Sequence, residues 1–180
     1  EVTRDEMGEI AMFQNRGSTP ATLESSKLVD AYGLIEGHAE EVSDAPLAYT
    51  QSLLSGSETW VSLPKEYWPD NFHNIEDPVV PLDYSLYGHP DAGTFWEDKS
   101  HAKILSAGFE RTGWDSLFWN KELKCLLVVY VDDFKMSGPP AGLEASWKTI
   151  AAALDVGKVE PANRYLGCMH ERLTVHLEDE

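Results

Sequence analysis

The stretch Cys125-Leu126-Leu127-Val128-Val129-Tyr130-Val131-Asp132-Asp133-Phe134-Lys135-Met136-Ser137-Gly138 decides how this chain folds. A run of mostly apolar, β-favouring residues enters two adjacent aspartates, and a second short apolar stretch follows. The pattern predicts a buried strand, a tight turn holding the two acids, and a returning strand. Two neighbouring carboxylates at such a turn are costly to desolvate and repel each other. A divalent cation relieves both problems, and hard oxygen ligands suit Mg²⁺ or Mn²⁺. The alternative, a solvated Asp-Asp hairpin turn, follows from the turn preference of Asp alone, but the strand ahead of it is too apolar for a surface hairpin.

Around that stretch, 180 residues with 42% apolar and 11% aromatic content give room for one domain with a real core. No apolar run is long enough to span a bilayer, and the acidic N-terminus does not read as a signal peptide. An intracellular, cytoplasmic or nuclear, location without secretion or a membrane partner is therefore expected. Two cysteines, Cys125 and Cys168, provide no disulfide framework and fit a reducing compartment. Cys168 and His170 lack two further ligands at suitable spacing, so packing is expected of them. Fourteen basic residues against 31 acidic ones give a formal net charge of −17, the wrong sign for gripping a phosphate backbone. Composition taken alone points away from a nucleic-acid enzyme.

The rest of the chain reads as α+β. Glu9 to Gln14 suits a short strand. Thr19-Pro20 predicts a helix start, and Leu28, Ala31 and Ile35 supply a helical stripe that Gly33 or Gly37 ends. Glu40 to Asp44 leads into a strand that Pro46 must stop, with a turn or short helix over Ala48 to Leu54. Pro64 to Pro81 reads as a loop, in which His73 beside Asp70, Glu76 and Asp77 is expected to be solvated rather than a metal site. Ala92 to Phe109 predicts a helix with Phe95, Trp96, Ala102, Leu105 and Phe109 on its packing face. Ser116 to Trp119, a turn at Asn120 to Lys124, and the Asp-Asp hairpin form an antiparallel meander. Leu143, Trp147, Ile150 and Leu154 mark another packing helix, and Arg164 to His170 with Leu173 to Leu177 suggest a closing hairpin. The expected fold is a small antiparallel sheet bearing the turn at 131–133, backed by helices near 20–36, 92–108 and 140–154.

Several blocks, in order, resemble those of Copia-type retrotransposon reverse transcriptases. Tyr130-Val131-Asp132-Asp133 resembles the catalytic hairpin of that family, and Asp44-Ala45-Pro46-Leu47-Ala48-Tyr49 its upstream aspartate block. Trp60-Val61-Ser62-Leu63-Pro64-Lys65, Ser85-Leu86-Tyr87-Gly88 with Trp96, and Tyr165-Leu166-Gly167-Cys168 resemble three further segments, so that the likeness spans roughly residues 8 to 170.

The resemblance implies a reverse-transcriptase palm with partial fingers, a single domain over 1–180. Its parts would be partial fingers at 1–40, palm at 41–138, and the end of the palm with the start of the thumb at 139–180. It implies RNA-directed DNA polymerisation by two Mg²⁺ (or Mn²⁺) ions held by Asp44, Asp132 and Asp133. Tyr49 would lie under the sugar and discriminate against a ribose 2′-hydroxyl, and Tyr130 would pack near the primer end. The implied partners are an RNA/DNA primer-template, dNTPs, and neighbouring polyprotein domains such as RNase H. One block departs from the family pattern: after Tyr87-Gly88 comes His89-Pro90-Asp91-Ala92-Gly93-Thr94, where Asp91 takes the place of a nucleotide-associated Gln and two basic residues are gone. Asp91 is thus a weak nucleotide-site candidate. The second reading is a catalytically inactive acidic remnant that keeps the palm as a folded or interaction module.

Overall fold

The computed structural model describes residues 17–56 and 58–173, which form two compact units, one of 19–46 with 100–173 and one of 47–99 with 17–18. In chain order the elements are α1 (Leu23–Gly33), β1 (Ala39–Asp44), β2 (Trp60–Ser62), β3 (Val79–Pro81), α2 (Ala92–Ser106), β4 (Glu110–Arg111), β5 (Leu117–Asn120), β6 (Cys125–Tyr130), β7 (Asp133–Gly138), α3 (Pro140–Ala151), β8 (Glu160–Pro161), β9 (Arg164–Tyr165) and β10 (Cys168–Met169). The expected α+β class, an antiparallel sheet backed by helices, is what forms. No described helix is long and apolar enough to cross a membrane.

The larger unit is built on a six-stranded sheet in the order β4-β5-β6-β7-β1-β8, antiparallel at every pairing. Strand β6 is central, and five consecutive residues, Cys125 to Val129, are buried. A strand covered on both faces loses the usual apolar–polar alternation, which is why this stretch reads as one apolar run. Its covers are α1 and α3, and β1 shows that they lie on opposite faces. Glu40 approaches Gly33 of α1, whereas its neighbour Glu41 accepts a hydrogen bond from Trp147 Nε1 of α3 at 2.9 Å; successive strand side chains point to opposite faces.

Helix α3 packs as its spacing predicts, with Leu143, Trp147 and Ile150 buried and Leu154 buried just beyond its end. Each such side chain contributes roughly 1.5–3 kcal/mol of burial. Gly142 brings α3 close: a Cβ there would lie 2.2 Å from the Leu123 carbonyl oxygen.

Helix α1 differs from expectation in start and face. It begins at Leu23, capped by the Thr22 hydroxyl, which accepts from Ser25 N–H at 3.2 Å. Residues 19–21 are instead tied to the sheet unit, through Ala21 N–H to Val129 O at 3.3 Å and Ser116 Oγ to Thr19 O at 2.6 Å. The buried positions are Ser25, Val29 and Gly33, while Leu28, Ala31 and Ile35 are exposed. Small residues let α1 sit tightly on β7 and β1: a Cβ on Gly33 would fall 2.9 Å from Ser137 Oγ and 3.3 Å from Glu40 Cβ.

Helix α2 corrects the expected stripe in part, since Trp96 and Phe109 are buried as expected. Ala92, Trp96, Ser100 and Ile104 are buried at four-residue intervals, Phe109 is buried beyond the end, and Ala102 and Leu105 are exposed. The closing hairpin forms instead within the expected first strand: β9 pairs with β10 across Leu166-Gly167, both with positive φ (47° and 81°), as a two-residue hairpin turn requires. Residues 174–177 of that expected hairpin, and the expected strand over Glu9 to Gln14, lie outside the described residues.

The smaller unit pairs β2 with β3, and continues the pairing through Leu54 N–H to Asp83 O and Ser85 N–H to Ser52 O, both 2.8 Å. The Pro64–Pro81 segment is a loop with two short 3₁₀ turns, Lys65–Tyr67 and Asp70–Phe72, but its last three residues join the ladder. Pro81 is tolerated there as a strand terminus.

Candidate active site

The sheet brings the predicted carboxylates of the larger unit to one end. Strand β1 stops at Asp44, directly opposite Asp133, the first residue of β7, and Asp132 occupies the two-residue turn between β6 and β7. Ala45 N–H donates to Asp132 O at 2.8 Å, so the end of β1 is laced to the turn itself. Val131 opens that turn at φ 57°. A β-branched residue in the left-handed region is strained by roughly 1–3 kcal/mol, a cost met by the surrounding pairing. Tyr130, half-exposed at the end of β6, is the cross-strand partner of Asp133.

Burial, then the charges of Asp132 and Asp44, hold the Asp133 carboxyl above the usual carboxylate range. Asp133 therefore senses both neighbouring acids; the donor set is all oxygen, the kind a hard divalent cation takes, but the three ligand atoms do not all lie within 4.8 Å of one another.

Asp44 is held from below by Gly157, whose N–H donates to Asp44 O at 2.7 Å. A Cβ at Gly157 would lie 2.3 Å from Asp44 Oδ1, so only glycine lets the carboxylate lie as it does. Ser43 Oγ donates to Gly157 O at 3.1 Å and reinforces the contact. Tyr165 OH donates to Asp133 O at 3.4 Å; burial first, then the charge of Asp133, push this phenol above its ordinary range.

A cleft of about 350 Å³ adjoins these groups, lined among others by Asp44, Asp133, Lys158, Arg164 and Tyr165. Lys158 is exposed and paired with Glu160 at 2.9 Å. Gly157, Lys158 and Arg164 were not singled out from the sequence. The signal available was their place just before and within the segment ending in Tyr165-Leu166-Gly167-Cys168.

Tyr49 and Asp91 belong to the smaller unit. Tyr49 lies in a 3₁₀ turn, Ala48–Gln51, with its ring 4.5 Å from that of Tyr87. Asp91 is buried just before α2, and its N–H donates to His89 Nδ1 at 3.1 Å.

The larger unit contains a second polar cluster. Lys135, fully buried on β7, donates to Asp30 Oδ1 and lies 3.6 Å from Glu40 Oε1. The Tyr165 ring covers its ammonium group at 4.7 Å. Burial, then the hydrogen bond and charge of Asp30, raise Glu40 to about 7, against the pull of Lys135. Burial also opposes ionisation of Asp30, but hydrogen bonds from Glu40 and Lys135 outweigh it and hold Asp30 low. His170 Nδ1 is 3.8 Å from Asp30 Oδ1. Cys168, expected to pack, is exposed. Among the described residues, the group of three His, Cys, Asp or Glu side chains whose ligand atoms all lie within 4.8 Å of one another is Asp30, Glu40 and His170.

No protein-family model matches this chain, and no match was found among curated proteins.

Proposed function

We propose that this chain is the palm-bearing part of a reverse-transcriptase-type polymerase, of the Copia-like retrotransposon kind. The observation that supports the proposal is the placement of Asp44 opposite Asp133, with Asp132 in the adjoining turn, at one end of an antiparallel sheet, in the order of the motifs that resemble that family's. These carboxylates would hold two Mg²⁺ (or Mn²⁺) ions. When bound, such ions make a 3′-hydroxyl nucleophilic and neutralise the pyrophosphate leaving group. The chain's own contributions are positional. Gly157 and Ser43 fix Asp44, the β6–β7 turn presents Asp132, and Tyr165 braces Asp133. Arg164 sets positive charge in the cleft beside the acids, whereas Lys158 is paired with Glu160.

A specific observation favours a second reading, a folded remnant that no longer polymerises: the formal net charge of −17. Phosphate contacts normally come from Lys and Arg, and Asp91 adds charge of the wrong sign within a motif associated with the nucleotide. Two assays on the same preparation separate the readings. Extension of a DNA primer on an RNA template, abolished in Asp132→Asn, establishes the polymerase. An unextended primer, with weak anisotropy-detected binding of a labelled RNA–DNA hybrid that stays flat or improves as salt rises, assigns the remnant. Weak binding that stays flat as salt rises is expected from the charge of −17, and primer extension decides between the two readings. Tight binding that weakens steeply with salt would overturn that expectation.

A further inference from the structure

We infer that the outward side of α1 is a docking surface for a partner protein, and that the element it receives is a basic amphipathic helix. Helix α1 is built the opposite way round from an ordinary surface helix, which turns its apolar stripe to the core and its polar face to water. Its inner row is Ser25, Val29 and Gly33, while Leu28 and Ala31 stay exposed. The stripe that gives this segment its helical period therefore faces solvent.

The exposed apolar surface is continuous. Leu28 and Ala31, three residues apart, are neighbours on the helix. Ile35 prolongs their line, because its N–H donates to Tyr32 O at 3.3 Å and carries the coil past the cap. Leu28 is 41% exposed and Ile35 49%. Tyr32, one turn on from Leu28, is half-buried and meets the half-buried Trp119 of β5 edge-on, with ring centroids 5.6 Å apart. These five side chains make one strip that runs from the helix onto the sheet, the kind of contiguous apolar patch that marks an interaction site. Leu28 to Ile35 spans about 10 Å, enough for two turns of a partner helix.

The charges around the strip select the partner. Glu24 stands one turn ahead of Leu28 on the same side of α1, and Glu36 follows Ile35. Glu110 of β4 lies directly opposite Trp119 and shares its face of the sheet. All three acids are exposed. Lys27 acts on Glu24, which leaves Glu36 and Glu110. A second copy of this chain, with its own charge of −17, would set acids against acids, and the same field repels nucleic acid. A helix with leucines along one side and lysine or arginine on its flanks is complementary to both the strip and its rim. This surface does not depend on the acids of the β6–β7 turn.

The test uses the whole chain and a fluorescently labelled synthetic peptide of leucine and lysine, with its leucines at i, i+3, i+4 and i+7, beside a peptide of the same composition in scrambled order. The ordered peptide should bind about tenfold more tightly than the scrambled one, and should weaken as salt rises. Leu28→Ser with Ile35→Ser should reduce its affinity by about tenfold or more. Leu53→Ser, which replaces an exposed leucine of the smaller unit, should leave it unchanged. Leu28 and Ile35 are exposed, so the double variant is expected to fold, and an unchanged urea midpoint checks this. Indole NMR of the unaltered chain follows the same event without any substitution: of six tryptophans, Trp119 should shift first. Equal affinity for the scrambled peptide, wild-type affinity in the Leu28→Ser, Ile35→Ser variant, or a first shift at another indole would each overturn the inference. Sedimentation showing a dimer of the chain that this variant abolishes would overturn it too, by assigning the strip to a second copy.

Discussion

Replacing Gly157 by alanine asks whether Asp44 is a ligand without touching any carboxylate. The added Cβ would lie 2.3 Å from Asp44 Oδ1, 3.2 Å from its Cγ and 3.3 Å from its carbonyl oxygen. Carbon–oxygen contacts settle at about 3.3 Å or more, so the carboxylate must retreat by about 1 Å. The backbone cannot easily yield. Gly157 N–H holds Asp44 O, and Ala45 N–H holds Asp132 O, at 2.7 and 2.8 Å. The side chain therefore leaves its rotamer, at a cost of about 0.5–1.5 kcal/mol. Reduced freedom of the unfolded chain returns about 0.4–1 kcal/mol, leaving a net stability change below about 1 kcal/mol. Metal affinity is far less forgiving, because ligand distances must hold to about 0.2 Å. Mn²⁺ binding, read by electron paramagnetic resonance of the free ion, should weaken by about tenfold or more, while urea denaturation barely moves. A folded Gly157→Ala protein that binds Mn²⁺ as the wild type does would refute the role of Asp44.

Three further outcomes are expected. Glu40, raised to about 7 from the ordinary 4.5, binds its proton more firmly in the folded state. Stability should then fall as pH rises from about 4.5 through 7, by about 1–2 kcal/mol once partial exposure is allowed for; the lowered pKa of Asp30 acts below 3.8, outside that window. Urea denaturation in chelator should show this slope in the wild type and not in Glu40→Gln. Lys135→Met should cost about 3–5 kcal/mol at neutral pH, because Asp30 and Glu40 lose their buried cation, and less at pH 5, where Glu40 is protonated; equal losses at both pH values would contradict the charge argument. Gly142→Ala should destabilise by about 1–3 kcal/mol through the clash with the Leu123 carbonyl, lowering the thermal midpoint without changing Mn²⁺ affinity at the Asp-Asp turn.

The parts of the fold that could be read from the chain are those where burial and hydrophobicity coincide. Strands β6 and β7, their turn, and α3 all place large apolar residues inside, so an unbroken run or a helical stripe reports them. Helices α1 and α2 break that link. Close packing reserves the inner face of α1 for Ser25, Val29 and Gly33, and places Ser100 in the buried row of α2, while Leu28, Ile35 and Leu105 stay outside. Hydrophobic periodicity therefore picks the wrong face in α1 and only part of the buried row in α2, where Trp96 is buried as expected and Ala102 and Leu105 are not. In the proposed site, the positions of Asp44, Asp132 and Asp133 at a strand end and a turn could be read from the chain, because Pro46 stops one strand and the adjacent acids mark the turn. Gly157 could not, since its role depends on a contact across more than a hundred residues. The cluster of Lys135, Asp30, Glu40 and His170 was equally hidden: a lysine in a strand reads as exposed, and three-dimensional pairing alone buries it.

The central claim is that the acids at the β6–β7 turn and the end of β1 hold a divalent cation together. Calorimetric titration of Mn²⁺ into the wild type and into the Asp132→Asn, Asp133→Asn variant tests it most directly, with the background of the acidic surface common to both. The wild type should release or absorb additional heat from a site that the variant lacks, since clustered carboxylates relieve their repulsion by taking up the ion. Equal heats from the two proteins would contradict the claim and leave the turn a solvated hairpin.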